Sequence, residues 1–365
     1  MKLRNFKGCL ILFFGIVIAG CSDNQSDDEG HYYAGKRIQI IIPTSIGGGT
    51  DRFARLMAQG LSEFVPGNPT VVPRQMTGGG GILAGNWMVE QAPRDGTVLM
   101  ATAGQGTLRQ LLGQRNVRSR PSDYEDLIAL PMVRVVMVGP GNGIERREDV
   151  ALLREGEPLH SALLDPISGI SFVLQAEMMD LPLRIIPGYL GGPERDLAML
   201  RGEIDIIQQV TTTYSSSIQP VLDQGGVLLW SDGLMGPEGE IIRDPNFPDL
   251  PAFNELYEDA FGHAPEGPLW ELYEIVTPLI TNAAKVLQVH VDAPQEAKDA
   301  LLTGIQAMVT DPEFALRMQR ESEGHSAVYG DELELLLREA RDISEEQRQF
   351  LRDFISERFE LEFEP

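Results

Sequence analysis

Five short stretches rich in glycine and hydroxyl side chains stand out in this chain of 365 residues: 44–51, 77–82, 102–107, 167–171 and 189–193. Each follows an apolar or β-branched run and precedes a helical pattern. A helix start offers unpaired backbone N–H groups and a partial positive charge. Glycine lets a ligand approach that backbone closely, so the chemistry on offer is the holding of an anionic group, a carboxylate or a phosphate. In an open α/β sheet such loops gather at the carboxyl ends of the strands, where ligands bind. One such loop would be no more than a tight turn, but five in one chain read together as a site.

The chain has no G-x-x-x-x-G-K-[ST], no H-E-x-x-H and no G-x-S-x-G. Gly79 to Ala84 satisfies G-x-G-x-x-A formally. A run of four glycines makes that match cheap, and the loop before it is long for a dinucleotide turn, so no cofactor is expected. His31, His160, His263, His290 and His325 lie far apart and none pairs at ligand spacing. They read as surface or core residues, and no metal is expected. Asp244, Asp249, Glu255, Glu258 and Asp259 read as a solvated acidic face, and Trp230 and Trp270 as core or hinge packing. Ser168 and Ser171 are the serines an enzyme reading would use, but no nucleophile–His–acid pattern accompanies them. A binding protein is expected rather than an enzyme.

The elements that must position the loops follow from periodicity. Arg37–Ile42 is a β-branched run readable as a buried strand. Thr50 or Asp51 can cap a helix whose apolar residues Phe53, Leu56, Met57, Leu61 and Phe64 fall at helical spacing. Strands are expected at 70–72, 98–101, 133–138, 161–164, 183–186 and 204–207, and helices after the glycine loop at 78–81, over 171–179 and over 194–201. The end of the chain, 294–364, reads as mostly helical, with Asp311-Pro312-Glu313 starting one helix. Strand, loop and helix in repetition is the signature of a parallel sheet covered by helices.

The N-terminus reads as an address. Lys2, Arg4 and Lys7 precede an apolar run, Cys9 to Ala19, that is too short to span a bilayer. The run ends in Ile18-Ala19-Gly20-Cys21, which resembles a bacterial lipobox. Cys21 would then carry lipid and become the new N-terminus. Residues 1–21 form the expected signal segment and 22–35 a polar, acidic tether. Cys9 leaves with the signal, so the mature domain would have no free thiol, disulfide or Cys-metal site. Asp and Glu total 54 against 30 Lys and Arg, a net charge of −24, which argues against nucleic acid and anionic lipid as partners. Length and a 42% hydrophobic content suit two domains.

At the first loop the sequence becomes familiar. Ile40-Ile41-Ile42-Pro43-Thr44-Ser45-Ile46-Gly47-Gly48-Gly49-Thr50-Asp51 resembles the opening of the substrate-binding proteins of tripartite tricarboxylate transporters, the Bug family. The likeness continues through Pro66-Gly67-Asn68-Pro69, Met76 to Gly81, Ala92-Pro93-Arg94-Asp95-Gly96, Gly188-Tyr189-Leu190-Gly191-Gly192, Arg201 to Asp205, Leu250 to Leu256 and Asp311-Pro312-Glu313-Phe314. The blocks keep the family's order over most of 36–325.

The resemblance implies an α/β periplasmic-binding-protein fold of the second type, two lobes closing on a ligand with the chain crossing between them twice. Residues 36–132 and 265–365 would form lobe 1, and 133–264 lobe 2. It implies a small organic acid as ligand, a monomer, membrane permease subunits as partners, and a place in the periplasm or at the cell surface, anchored through Cys21. By position, Thr44, Ser45, Gly48, Gly49, Gly80, Gly81, Ile82, Thr102 and Gly104 would face the ligand from the first lobe. Ser168, Gly169, Ser171, Tyr189, Gly191 and Asp205 would face it from the second, with Asp51 a helix cap. Thr44, Ser45 and Ile46 stand where the family usually carries Pro or aromatic residues, and Thr77-Gly78-Gly79-Gly80-Gly81 where it reads Pro-Gly-Ala-Gly-Gly. The alternative use of the same cleft is signalling, with closure passed to a sensor kinase.

Overall fold

The computed structural model describes residues 30–359 apart from 164, 187, 188, 190, 191 and 237, together with 361 and 363. The expected signal segment, Cys21, most of the tether and Gly191 lie outside the described residues. Among the described residues no helix is long and apolar enough to cross a membrane.

The strands, numbered along the chain, are β1 (Arg37–Ile42), β2 (Thr70–Gln75), β3 (Val98–Thr102), β4 (Tyr124–Leu130), β5 (Arg134–Val138), β6 (Leu159–Ser161), β7 (Leu183–Ile185), β8 (Ile206–Val210), β9 (Val227–Ser231), β10 (Leu234–Met235), β11 (Ile241–Ile242), β12 (Lys285–His290) and β13 (Val328–Tyr329). The helices that matter for the site are α1 (Gly49–Phe64), α2 (Ile82–Glu90), α3 (Gly104–Leu111), α4 (Ile170–Met178) and α5 (Gly192–Leu200).

The first sheet runs β2-β1-β3-β12-β4-β13. β1 is parallel to β2 and β3, while β12 is antiparallel to both of its neighbours, β3 and β4. In the second lobe β5 lies between β8 and β9, antiparallel to both, and β6 pairs in parallel with β7. The Asp205 N–H donates to the His160 carbonyl at 2.8 Å and joins the β6–β7 pair to the start of β8. Each lobe therefore repeats one plan, a parallel set with one antiparallel strand inserted into it; the first sheet adds β13, antiparallel to β4, at its edge.

The inserted strand is, in each lobe, the one on which the chain arrives from the other. The chain leaves the first sheet after β4 and enters the second as β5, then returns as β12. An antiparallel strand places its first residue at the edge where parallel strands end. Arg134 accordingly pairs with Val210 at the end of β8, and Lys285 lies next to Val286, which pairs with Thr102 at the end of β3. This topology brings two cations to the edge where an α/β sheet binds ligands.

Packing explains the elements. Ile38, Ile40, Ile41 and Ile42 of β1 are all buried, as in a sheet covered on both faces. On α1, Phe53, Met57 and Leu61 recur at i, i+4 and i+8 and share a core with Ile305, Met308 and Phe314. The second core centres on Trp230, Phe253 and Tyr273, with Phe253 ring centroids 5.9 Å from Trp230 and 5.3 Å from Tyr273. Trp270 stacks on Tyr273 at 5.4 Å, so both tryptophans serve packing as expected. Pro312–Glu321 is a helix whose N-cap Asp311 accepts the Phe314 N–H at 2.8 Å.

The acidic-face reading fails at Asp244. Its side chain is fully buried, accepts the Asn246 N–H at 2.8 Å and faces the His325 ring at 3.5 Å. Glu255 is also engaged, with Arg243 at 2.7 Å and the Ala252 N–H at 2.8 Å.

Candidate functional site

Between the two sheets lies a cavity of about 370 Å³. The first lobe supplies Gly49, Thr50 and Arg52 from the start of α1, Ala103 and Gln105 after β3, and Lys285 opening β12. The second supplies Arg134 opening β5, Gln208 and Gln209 of β8 with Thr212 and Thr213 beyond it, Ser168 and Gly169 before α4, and Arg195 of α5. Four lining residues are cations and, among the described residues, none is a carboxylate. In a chain of net charge −24 that local reversal is built, because each cation is held in place from behind.

Arg134 donates from Nη1 to the Ile280 carbonyl at 3.2 Å. Behind it, Asp232 is fully buried and accepts from Gln175 at 2.8 Å, Gln208 at 2.7 Å and Ser171 at 3.1 Å. Burial pulls the Arg134 pKa down and pushes that of Asp232 up, each opposed by the other's charge. Arg195 donates to the Ala162 carbonyl at 3.3 Å. Its Nε is buried with no hydrogen-bond partner among the described residues. Burial lowers its pKa, with Asp196 opposing. Lys285, its side chain only 5% exposed, faces Glu321 at 3.4 Å. Cations taken out of water and left short of partners favour an anion that supplies the missing acceptors.

The expected loop residues divide into three groups. Gly49, Ser168 and Gly169 line the cavity. Gly80, Gly81, Ile82 and Thr102 line a separate recess of about 30 Å³ beside Arg109. Gly78, Gly79, Gly80 and Gly81 all hold positive φ, which accounts for the four-glycine run by backbone conformation. The others stand elsewhere. Thr44 and Ser45 precede α1, where the Ser45 carbonyl accepts the Gly48 N–H at 3.3 Å and Gly48 is the N-cap of α1. Gly104 packs against Leu279. Ser171 is turned into the buried network around Asp232. The Tyr189 hydroxyl donates to Glu203 at 3.2 Å.

Three expectations need correction. Asp51 is not the cap of α1; it lies in the first turn and accepts the Gly47 N–H at 2.9 Å and Arg55 at 3.0 Å. The Arg55 hydrogen bond holds its carboxyl below the usual range. Asp205 is at the wrong end of its strand, because β8 spans 206–210 rather than 204–207. It accepts the His160 N–H at 2.7 Å and lies 3.0 Å from that ring. The loop amides just before α4 are not waiting for a ligand: the Ile167 and Ser168 N–H groups, ahead of the N-cap Gly169, both donate to Asp165, at 3.0 and 3.1 Å. Arg109 reaches from α3 to the same carboxylate at 2.6 Å. The cavity presents charge mainly as side-chain cations, which the loops frame.

No family model and no curated protein matches the sequence. Several solved structures are similar in fold. The periplasmic binding protein BugD matches at a TM-score of 0.60 and 17% identity, over 88% of this chain and 98% of that one. MatC from Rhodopseudomonas palustris, with bound malate, matches at 0.58 and 17%, over 88% and 99%. A further R. palustris protein, with adipate, matches at 0.60 and 16%, over 89% and 98%. With the inserted antiparallel strand in each lobe, this likeness shows a two-lobed α/β periplasmic-binding-protein fold of the second type.

Proposed function

We propose that the protein is a solute-binding protein of the tripartite tricarboxylate transporter type, which captures a small organic acid outside the cytoplasm and presents it to membrane permease subunits. The observation that carries this reading is the interlobe cavity with its four cations, Arg52, Arg134, Arg195 and Lys285, contributed by both lobes. An anion bridging them would draw the lobes together, the linkage such a carrier needs. The malate and adipate held by two proteins of the same fold support a carboxylate as the anion. Residues 36–132 with 265–365 would form one closing body and 133–264 the other. Cys21 would anchor the protein to a bacterial membrane through lipid, with 22–35 as tether.

The test is calorimetry of the purified protein against a panel of mono-, di- and tricarboxylates, with mass spectrometry of any acid that co-purifies. Micromolar binding of at least one acid is expected. Silence from a cooperatively folded protein across the whole panel would overturn the reading.

A pH dependence follows from Lys285. Burial lowers its pKa, with the nearby Glu321 charge opposing the shift. The protonated ammonium holds the anion, so affinity is expected to be flat through neutral pH and to fall on the alkaline side, beginning below the ordinary lysine value of about 10.4. Titration calorimetry across that range checks this, and the Lys285→Gln variant is expected to lose the alkaline fall.

A further inference from the structure

We infer that Glu321 is a resident carboxylate that half-neutralises the first lobe's cation pair and so sets how many negative charges the captured acid carries. The inference rests on the carboxylate reading of the cavity. Glu321 is not itself a lining residue; it stands behind two that are. Its Oε1 lies 3.4 Å from Lys285 Nζ and 3.1 Å from Arg52 Nε. Its side chain is 18% exposed, so this charge is only partly screened by water.

Glu321 is the last residue of the helix Pro312–Glu321. A carboxylate there faces the negative end of the helix dipole, so its placement works against the helix that carries it. What it gains is the cation pair. The glycine at 49 shows how closely that pair is packed, since a Cβ there would sit 3.0 Å from Lys285 Nζ. Two cations and one anion leave the first lobe's end of the cavity with one surplus positive charge. The second lobe's end holds Arg195, whose Nε has no partner among the described residues, and Arg134 backed by Asp232. An acid that satisfies both ends needs one negative charge toward Lys285. Removal of the Glu321 charge would make room for a second at the same end.

The test compares wild type, Glu321→Gln and Arg52→Gln by calorimetry against butyrate, succinate and tricarballylate at fixed pH and salt. Glu321→Gln is expected to raise the affinity ratio of tricarballylate to butyrate by roughly tenfold or more, the effect of removing one nearby like charge. Arg52→Gln, at a half-exposed position, is expected to move the ratio the opposite way. Unchanged ratios in both variants, with wild type binding at least one of the acids, would overturn the role of Glu321 while leaving the cavity's assignment standing. Absence of binding by all three proteins would overturn the carboxylate reading and this inference with it.

Discussion

Arg195→Ala is expected to weaken capture of the acid by at least 30-fold while leaving the free protein folded and about as heat-stable as before. The two halves of that expectation have one cause. Arg195 is 7% exposed, donates to the Ala162 carbonyl, and keeps a buried Nε without a partner among the described residues. In the free protein that is a desolvated cation with too few acceptors, so its removal relieves a cost that offsets the lost packing. In the complex the same group meets the ligand's charge. Truncating one partner of a buried charge pair costs about 2–5 kcal/mol, which spans roughly 30-fold to several thousandfold in affinity. Arg195→Lys should fall between, because the ammonium keeps the charge and loses the planar fork. Calorimetry for affinity and a melting curve without ligand separate the two effects, and an Arg195→Ala protein that binds like wild type would remove Arg195 from the site. Arg134→Ala would be a poorer probe, since it strands the fully buried Asp232 and damages the fold at the same time.

The loops were legible in the sequence, and the charge they frame was not. Strand, glycine loop and helix at 37–64 and 70–90, and the strand at 98–101, could be read because each local pattern agrees with the fold, while the expected loop at 102–107 already belongs in part to the helix Gly104–Leu111. The cations that line the cavity come instead from the first residues of the two inserted strands. Arg134 opens a run of valines and a methionine and was read as part of a strand, with no signal of which edge it would face. Lys285-Val286-Leu287-Gln288-Val289-His290 is short and mixed in polarity, and its burial is fixed by β3 and β4, nearly 200 residues upstream at the far end. A cation at the head of an otherwise apolar run is the signal that could have found Arg134, since burial of an unpaired charge calls for a partner, and Lys285 carries no such local signal. Asp205 was misplaced for a related reason. The strand was read two residues early because Ile204 is apolar and Gln208 and Gln209 are not, yet those glutamines are held in the strand by Asp232 and Asp196. Tertiary hydrogen bonds overrode local propensity there.

Gly104→Ala carries the largest expected cost to the fold. The family resemblance places Gly104 at the ligand, but its lack of a side chain answers to packing. A Cβ at this position would lie 1.5 Å from the Leu279 carbonyl oxygen and 3.1 Å from that of Ala283. Both neighbours are backbone, so no rotamer change relieves the overlap, and α3 must back away from the helical turn Pro278–Asn282. Overpacking costs about 1–3 kcal/mol where side chains can yield, and more where they cannot. With melting shifts of under about 2 °C per kcal/mol in a chain of this length, the expected drop is on the order of 5 °C. Gly156→Ala, where the nearest atom is 3.7 Å away, should leave the melting curve unchanged and serves as the control. The same displacement should reach the site, because Pro278–Asn282 leads directly into Ala284 and Lys285 of the cavity wall. Affinity should therefore fall in Gly104→Ala even at temperatures where the variant is fully folded. A variant that melts and binds like wild type would mean that α3 does not rest on Leu279, and with it the path from the third glycine loop to the Lys285 ammonium would be lost.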